Sequence, residues 1–158
     1  MNDPDKNCTI DRFKTRATVK RLLAEREEVL VLLYKASGRA PFRADKQTLA
    51  MVNQFCQVLI DYVAAAHFGL YRRFVEGKER RMSVATVAIE VYPYIDHSTQ
   101  IAVAFNDRYG ETAVDERLER LHYDLLHLGE VLARRIELED RLITALLSEP
   151  APAPQTPS

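Results

Sequence analysis

From Leu118 the sequence places an apolar residue at every third or fourth position. Leu118, Leu121, Leu125, Leu128, Leu132, Ile136 and Ile143 fall on one line, interrupted only by Glu139. This spacing is the buried stripe of a helix and not the alternation of a strand. The same periodicity fills three earlier stretches. A first helix is predicted over Asp11–Ala36, closed by "SGRAPF" with Gly38 and Pro41. A second is predicted over Asp45–Val75, with "EGKERR" as the break. A third opens near Ser83 and ends near Tyr109-Gly110; Pro93 inside it is expected to kink or split it, because the ring displaces an i→i−4 bond. The fourth is predicted from Val114 or Asp115 to just before Pro150. Four long helices with short connections predict an all-α fold, an elongated antiparallel four-helix bundle over residues 11–148. Residues 1–10 read as a flexible N-terminus. Residues 149–158, "EPAPAPQTPS", read as a disordered Pro/Ala-rich tail that cannot bury apolar area.

A chain of 158 residues is one domain's worth and can close its own core, so a monomer is expected. The net charge of −1 gives no global reason to expect nucleic acid or an anionic membrane as partner. Cys8 and Cys56 form no CxxC pair, which suggests neither a zinc knuckle nor a disulfide framework. "MNDPDKNCTI" has no apolar segment of a signal peptide. No uninterrupted apolar run approaches the roughly 18–20 residues of a membrane span. The chain therefore reads as cytoplasmic. Charge is uneven along it: between Arg72 and Arg81 five basic residues face two acidic ones, and between Glu111 and Glu149 ten acidic residues face five arginines. Both stretches read either as solvated helix surface or, for the acidic fourth helix, as a preference for a basic partner.

On the second helix, Cys56, Ile60, Val63, His67, Leu70 and Phe74 follow spacings of 4, 3, 4, 3 and 4, one heptad seam. That puts His67 on the buried side. Phe68 is rotated outward, in line with Asp61 seven residues earlier; Ala64 and Ala65 lie between them and Arg72 beyond. The outer face thus carries a carboxylate, a floor of small side chains, a ring and a guanidinium. It is either the edge of the core or a binding patch, since aromatic anchors bounded by charge are common hot spots. A buried His67 needs a partner. Glu139, flanked by Asp140, lies at similar depth in an antiparallel bundle, so a His67–Glu139 contact with Arg135 nearby is expected. Arg26, Asn53 and Ser98 are expected to form a second polar layer.

Catalytic chemistry has little support. Ferritin-like di-iron sites need two Glu-x-x-His motifs and two more glutamates. Here only Glu119 and His122, in "ERLH", match. His127 and Glu130 read as a surface hydrogen bond. No Gly-rich phosphate loop, GxSxG elbow or Cys–His pattern occurs. No enzyme, metal site or cofactor is expected. An adaptor bundle for a signalling protein, or a metal-binding bundle of the hemerythrin or ferritin type, remain the alternatives to a binding protein of another kind.

"FCQVLIDYVAAAHFGLYRRF" (Phe55–Phe74), "STQ" (Ser98–Gln100), "ETAVD" (Glu111–Asp115) and "LGEVLARRIELEDRLI" (Leu128–Ile143) together resemble the Rsd/AlgQ family of regulators of the RNA polymerase primary sigma factor, sigma-70. The resemblance covers about Asp11 to Leu147. It implies a bundle dominated by four long helices and a protein that binds free sigma-70. Binding would be mainly through region 4, the basic helix-turn-helix part that reads the −35 element, and would keep sigma from core polymerase and from DNA. It carries the family's sigma-contacting acid onto Asp61 and its HF phenylalanine onto Phe68; Ala65 and Arg72 complete the expected face. The chain departs from the family in reading Leu22-Leu23 where a Trp is frequent, and Ala66 where Gly often precedes the HF pair.

Overall fold

The computed structural model describes residues 4–110 and 118–148, with side chains from Arg12 onward. Among these the chain is all helical. Helix α1 spans Pro4–Ser37, α2 Lys46–Ala66, α4 Met82–Tyr109 and α5 Leu118–Leu147. Between α2 and α4, a π-helical turn at His67–Tyr71 leads straight into the short α3, Arg72–Val75, so Lys46–Val75 is one rod. Neighbouring helices run antiparallel. Arg108 of α4 meets Asp124 of α5 at 2.9 Å, while Glu90 meets Arg141 at 2.9 Å near the other end. Phe55 of α2 stacks edge-on against Phe105 of α4, and Tyr71 faces Tyr92. Arg26 of α1 pairs with Asp140 of α5 at 2.7 Å.

The expected bundle is therefore present, with differences that have local causes. Helix α1 begins at Pro4, inside the segment read as a flexible N-terminus. A proline suits a helix start because its missing N–H has no intrahelical partner there. Helix α2 starts where Asp45 caps it: its extended backbone lets the carboxylate accept the Thr48 amide at 2.8 Å. That hydrogen bond holds the Asp45 carboxyl below the usual range. Gly77, with φ of 68°, makes the turn after α3 that other residues resist. Pro93 does not split α4. Both it and Ile89, whose carbonyl loses its partner, are exposed, so water can satisfy the freed oxygen. The predicted start of α5 at Val114 or Asp115, the "ETAVD" stretch and the tail lie outside the described residues.

The core runs the length of the bundle and includes Leu22, Val29, Phe55, Leu59, Val84, Ile95, Ala102, Leu121, Leu128 and Leu142. Cys56 is buried there, and loss of hydration pushes its thiol up to about 12. On α5, Leu118 and Ile136 are only half-buried, and Arg135 takes the central position. By length and composition the rod Lys46–Val75 could cross a membrane, with a mean hydropathy of 1.3 over its most apolar window. Its apolar side chains, among them Phe55, Leu59 and Val63, are instead used in the bundle core.

Candidate protein-binding site

Three of the four face residues, Asp61, Phe68 and Arg72, are exposed on the rod, and Ala65 is half-buried between them. Phe68 is 68% exposed. Asp61 is held in place by Gln57, whose amide donates to its carboxylate at 3.0 Å. Arg72 donates to Glu76 at 2.8 Å. Lys78 and Arg72 hold the Glu76 carboxyl down to about 2. The face thus offers one carboxylate, one bare ring and, at its end, a partly compensated basic cluster.

His67 is not where the heptad seam puts it. It is exposed and packs edge-on against Phe68, ring centroids 5.0 Å apart. It makes no contact with Glu139. The seam followed one edge of the buried face; its centre is the line of Phe55, Leu59, Tyr62 and Ala66, all buried. The π turn then changes the register. The Arg72 amide bonds the His67 carbonyl, five residues back instead of four. The widened turn brings Leu70 and Tyr71 together into the core and leaves His67, Phe68 and Gly69 outside. Gly69 marks where this turn meets α1: a Cβ there would lie 2.8 Å from the Thr18 methyl.

Beneath the face lies a polar core centred on Glu139, which is fully buried with Arg135. Tyr62 donates to Glu139 Oε1 at 2.6 Å and Tyr71 to Oε2 at 3.1 Å. Arg26 reaches Oε1 at 3.4 Å, and Arg135 Nε lies 3.5 Å from Oε2. Arg135 also donates to Ser98, Thr99 and the Ile95 carbonyl. Its guanidinium sits over the Tyr62 and Tyr71 rings, 5.2 and 5.9 Å from their centroids. Burial, then the Glu139 charge, raises the pKa of both tyrosines, so they stay neutral donors. Asp140 is not part of this core: it is exposed and closes the network from outside through Arg26. Nor is there a second layer of Arg26, Asn53 and Ser98. Arg26 and Ser98 join the Glu139–Arg135 network, and Asn53 is exposed. Tyr62, Tyr71 and Thr99 were not foreseen. The signal was available for the tyrosines, since a buried Tyr needs a partner for its hydroxyl.

Among the described residues no three His, Cys, Asp or Glu side chains come together as metal ligands. Glu119 is exposed and His122 half-buried at the start of α5. The arrangement is an exposed helix face over a polar core in which Arg26 and Arg135 approach the Glu139 carboxylate. Compared with known families, residues 5–147 match the profile described as regulator of RNA polymerase sigma(70) subunit, Rsd/AlgQ. The chain belongs to the Rsd/AlgQ family. Relatives of this Rsd/AlgQ protein include the proteins named regulator of sigma D from Shigella dysenteriae and Escherichia coli. Each is 33% identical over 132 residues, covering 82% of this chain and 83% of its own. No solved structure matches the chain significantly.

Proposed function

We propose that this protein binds the primary sigma factor, sigma-70, mainly through its region 4, and so limits sigma's association with core polymerase and with −35 promoter DNA. It acts as a cytoplasmic monomer without catalysis, cofactor or direct nucleic-acid contact. The relatives' name, regulator of sigma D, supports the choice of partner. The observation that carries the choice of site is Phe68, a large ring left exposed on the same face as Asp61. In this reading Phe68 fills a pocket on sigma, Asp61 accepts from an arginine of the basic helix-turn-helix, Ala65 lets the partner approach closely, and Arg72 borders the contact. His67, Arg135, Glu139 and Asp140 act only indirectly: His67 flanks the Phe68 ring, and the other three hold the rod in register.

The test is titration calorimetry with sigma region 4 beside thermal melting. Phe68→Ala should weaken binding by about 2 kcal/mol or more if the ring is an anchor. Asp61→Ala should cost about 1.5–3 kcal/mol if it accepts a charge-assisted hydrogen bond. Both variants should melt like the parent. Two variants that melt normally and bind as tightly as the parent would move the interface elsewhere.

A further inference from the structure

A cleft opens where α1 meets the end of the rod and the last turn of α5. Thr15 and Thr18 stand four residues before Val19 and Leu22, so they share the inward side of α1 with them. Both are half-buried. Where α1 farther along packs Leu22 and Val29 into the core, they bring short polar side chains. A cleft of about 150 Å³ remains beside them. Its apolar floor is Leu70 and Phe74 of the rod and Leu146 of α5. Lys14 and Arg73 line it as well, Lys14 exposed and Arg73 half-buried.

Arg73 and Arg81 share one carboxylate, Glu79, each at 3.3 Å, and Arg81 also donates to the Leu146 carbonyl at 3.1 Å. Arg72 and Lys78 share Glu76. Lys14, like Arg12, Arg16, Lys20 and Arg80, has no ion-pair partner among the described residues. The opening of α4 over Met82–Ile89 and the end of α5 from Leu142 carry no charged side chain. Nine basic residues in Arg12–Lys20 and Arg72–Arg81 thus face two acidic ones, or four with Asp11 and Glu149, which adjoin these stretches in the sequence. We infer that this cleft binds a small amphipathic anion, a ring-sized apolar body carrying one carboxylate or phosphate. An apolar cavity of about 150 Å³ holds a benzene-sized body. Here that body lies on Leu70, Phe74 and Leu146. Its anionic head accepts from the Lys14 ammonium and from the guanidinium donors of Arg73 beyond the Nε that meets Glu79.

The probes are phenyl phosphate and benzoate, with inorganic phosphate, benzyl alcohol and benzylamine as controls. Each is titrated into the full chain and followed by amide chemical shifts. Phenyl phosphate or benzoate should bind and shift Thr15, Thr18, Leu70 and Leu146, and the tighter of the two names the head. Inorganic phosphate and benzyl alcohol, each lacking half of the ligand, should bind more weakly, and benzylamine should not bind. Lys14→Glu, at an exposed position, should melt like the parent. It should weaken the anionic probes about tenfold or more, because a charge-assisted hydrogen bond gives way to a repulsion. Thr15→Phe, which fills the cleft, should abolish the preference for phenyl phosphate over inorganic phosphate. No shifts at the cleft, equal binding of inorganic phosphate and phenyl phosphate, or affinity unchanged in Lys14→Glu would each overturn the inference. So would a single-stranded oligonucleotide that binds where the small probes do not, which would make this end a polyanion surface. None of those outcomes decides whether sigma binds at Phe68, which the region 4 titration reads separately.

Discussion

Tyr62 and Tyr71 donate to the two oxygens of one carboxylate, Glu139. In a regular helix that is impossible. Nine residues at about 100° each leave two side chains on opposite sides of the rod. The π turn at His67–Tyr71 withholds enough rotation to bring Tyr71 back to the side of Tyr62. The polar core and the bulged surface above it are therefore one feature: the register change that buries Tyr71 also leaves Phe68 outside.

The first prediction concerns that network. Glu139→Ala leaves the Arg135 guanidinium buried without its carboxylate and should cost about 3–5 kcal/mol. Tyr71→Phe removes one hydroxyl and should cost about 1–3 kcal/mol. Urea denaturation of Tyr62→Phe, Glu139→Gln and the double variant should show non-additivity of at least about 0.5 kcal/mol. His67→Ala should fall within about ±0.5 kcal/mol of the parent, as an exposed substitution does. A large loss from His67→Ala would put that ring back in the core.

Salt should separate Asp61 from Phe68. Raising ionic strength screens an exposed charge pair and leaves an apolar anchor untouched. The parent and Phe68→Ala should lose sigma affinity with salt along similar slopes. Asp61→Ala should show a shallower one, because one screened attraction is already missing. Equal slopes for parent and Asp61→Ala would remove Asp61 from the contact.

Cys56 should report global unfolding. Its thiol is buried and pushed up to about 12, above the roughly 8.5 of a free cysteine. A folded-state pKa raised in this way means that stability is complete below the unfolded value. It is then lost as pH climbs from about 8.5 towards 12, because only the unfolded chain ionises the thiol readily. In a Cys8→Ser background, alkylation of Cys56 at neutral pH should be slow and should accelerate in step with denaturation. Fast labelling of the native protein would mean that the core opens locally at α2.

Acid should act at the other end of the scale. The Glu76 carboxyl is held down to about 2 by Lys78 and Arg72, and Asp45 is lowered by its cap to Thr48. Depressed carboxylates stabilise the fold above their unfolded values near 4 and lose that contribution as pH falls through the folded ones. Melting temperature measured from pH 5 down to pH 2 should fall. The fall should be smaller in Glu76→Gln and in Asp45→Asn. Both groups are exposed, so each difference should be small; unchanged curves in both variants would remove Glu76 and Asp45 from the acid response.

The bundle was legible because helical spacing is a property of neighbouring residues, and it survived in every long segment. Phe68 and Asp61 were legible for the same reason, seven residues apart on one rod. His67 was misplaced because a wheel assumes constant rotation and the π turn breaks it. It was also misplaced because a 4–3 seam picks one edge of a broad buried face, here missing Phe55, Leu59, Tyr62 and Ala66. The partners of Glu139 were hidden for a different reason. Tyr62, Tyr71 and Arg26 reach it from other helices, and such depth matching is set by packing distances, not by local pattern.

The π turn also bears on how this chain is compared with others. Along the rod it spends one residue more than a straight helix would need to join Lys46 to Val75. A relative with a regular rod would be one residue shorter at this point. A gap in mid-helix, ordinarily rejected as a misalignment, would then be the right placement between Ala66 and Arg72, and sliding the gap into the loop at Gly77 would pair every residue of the turn with the wrong face.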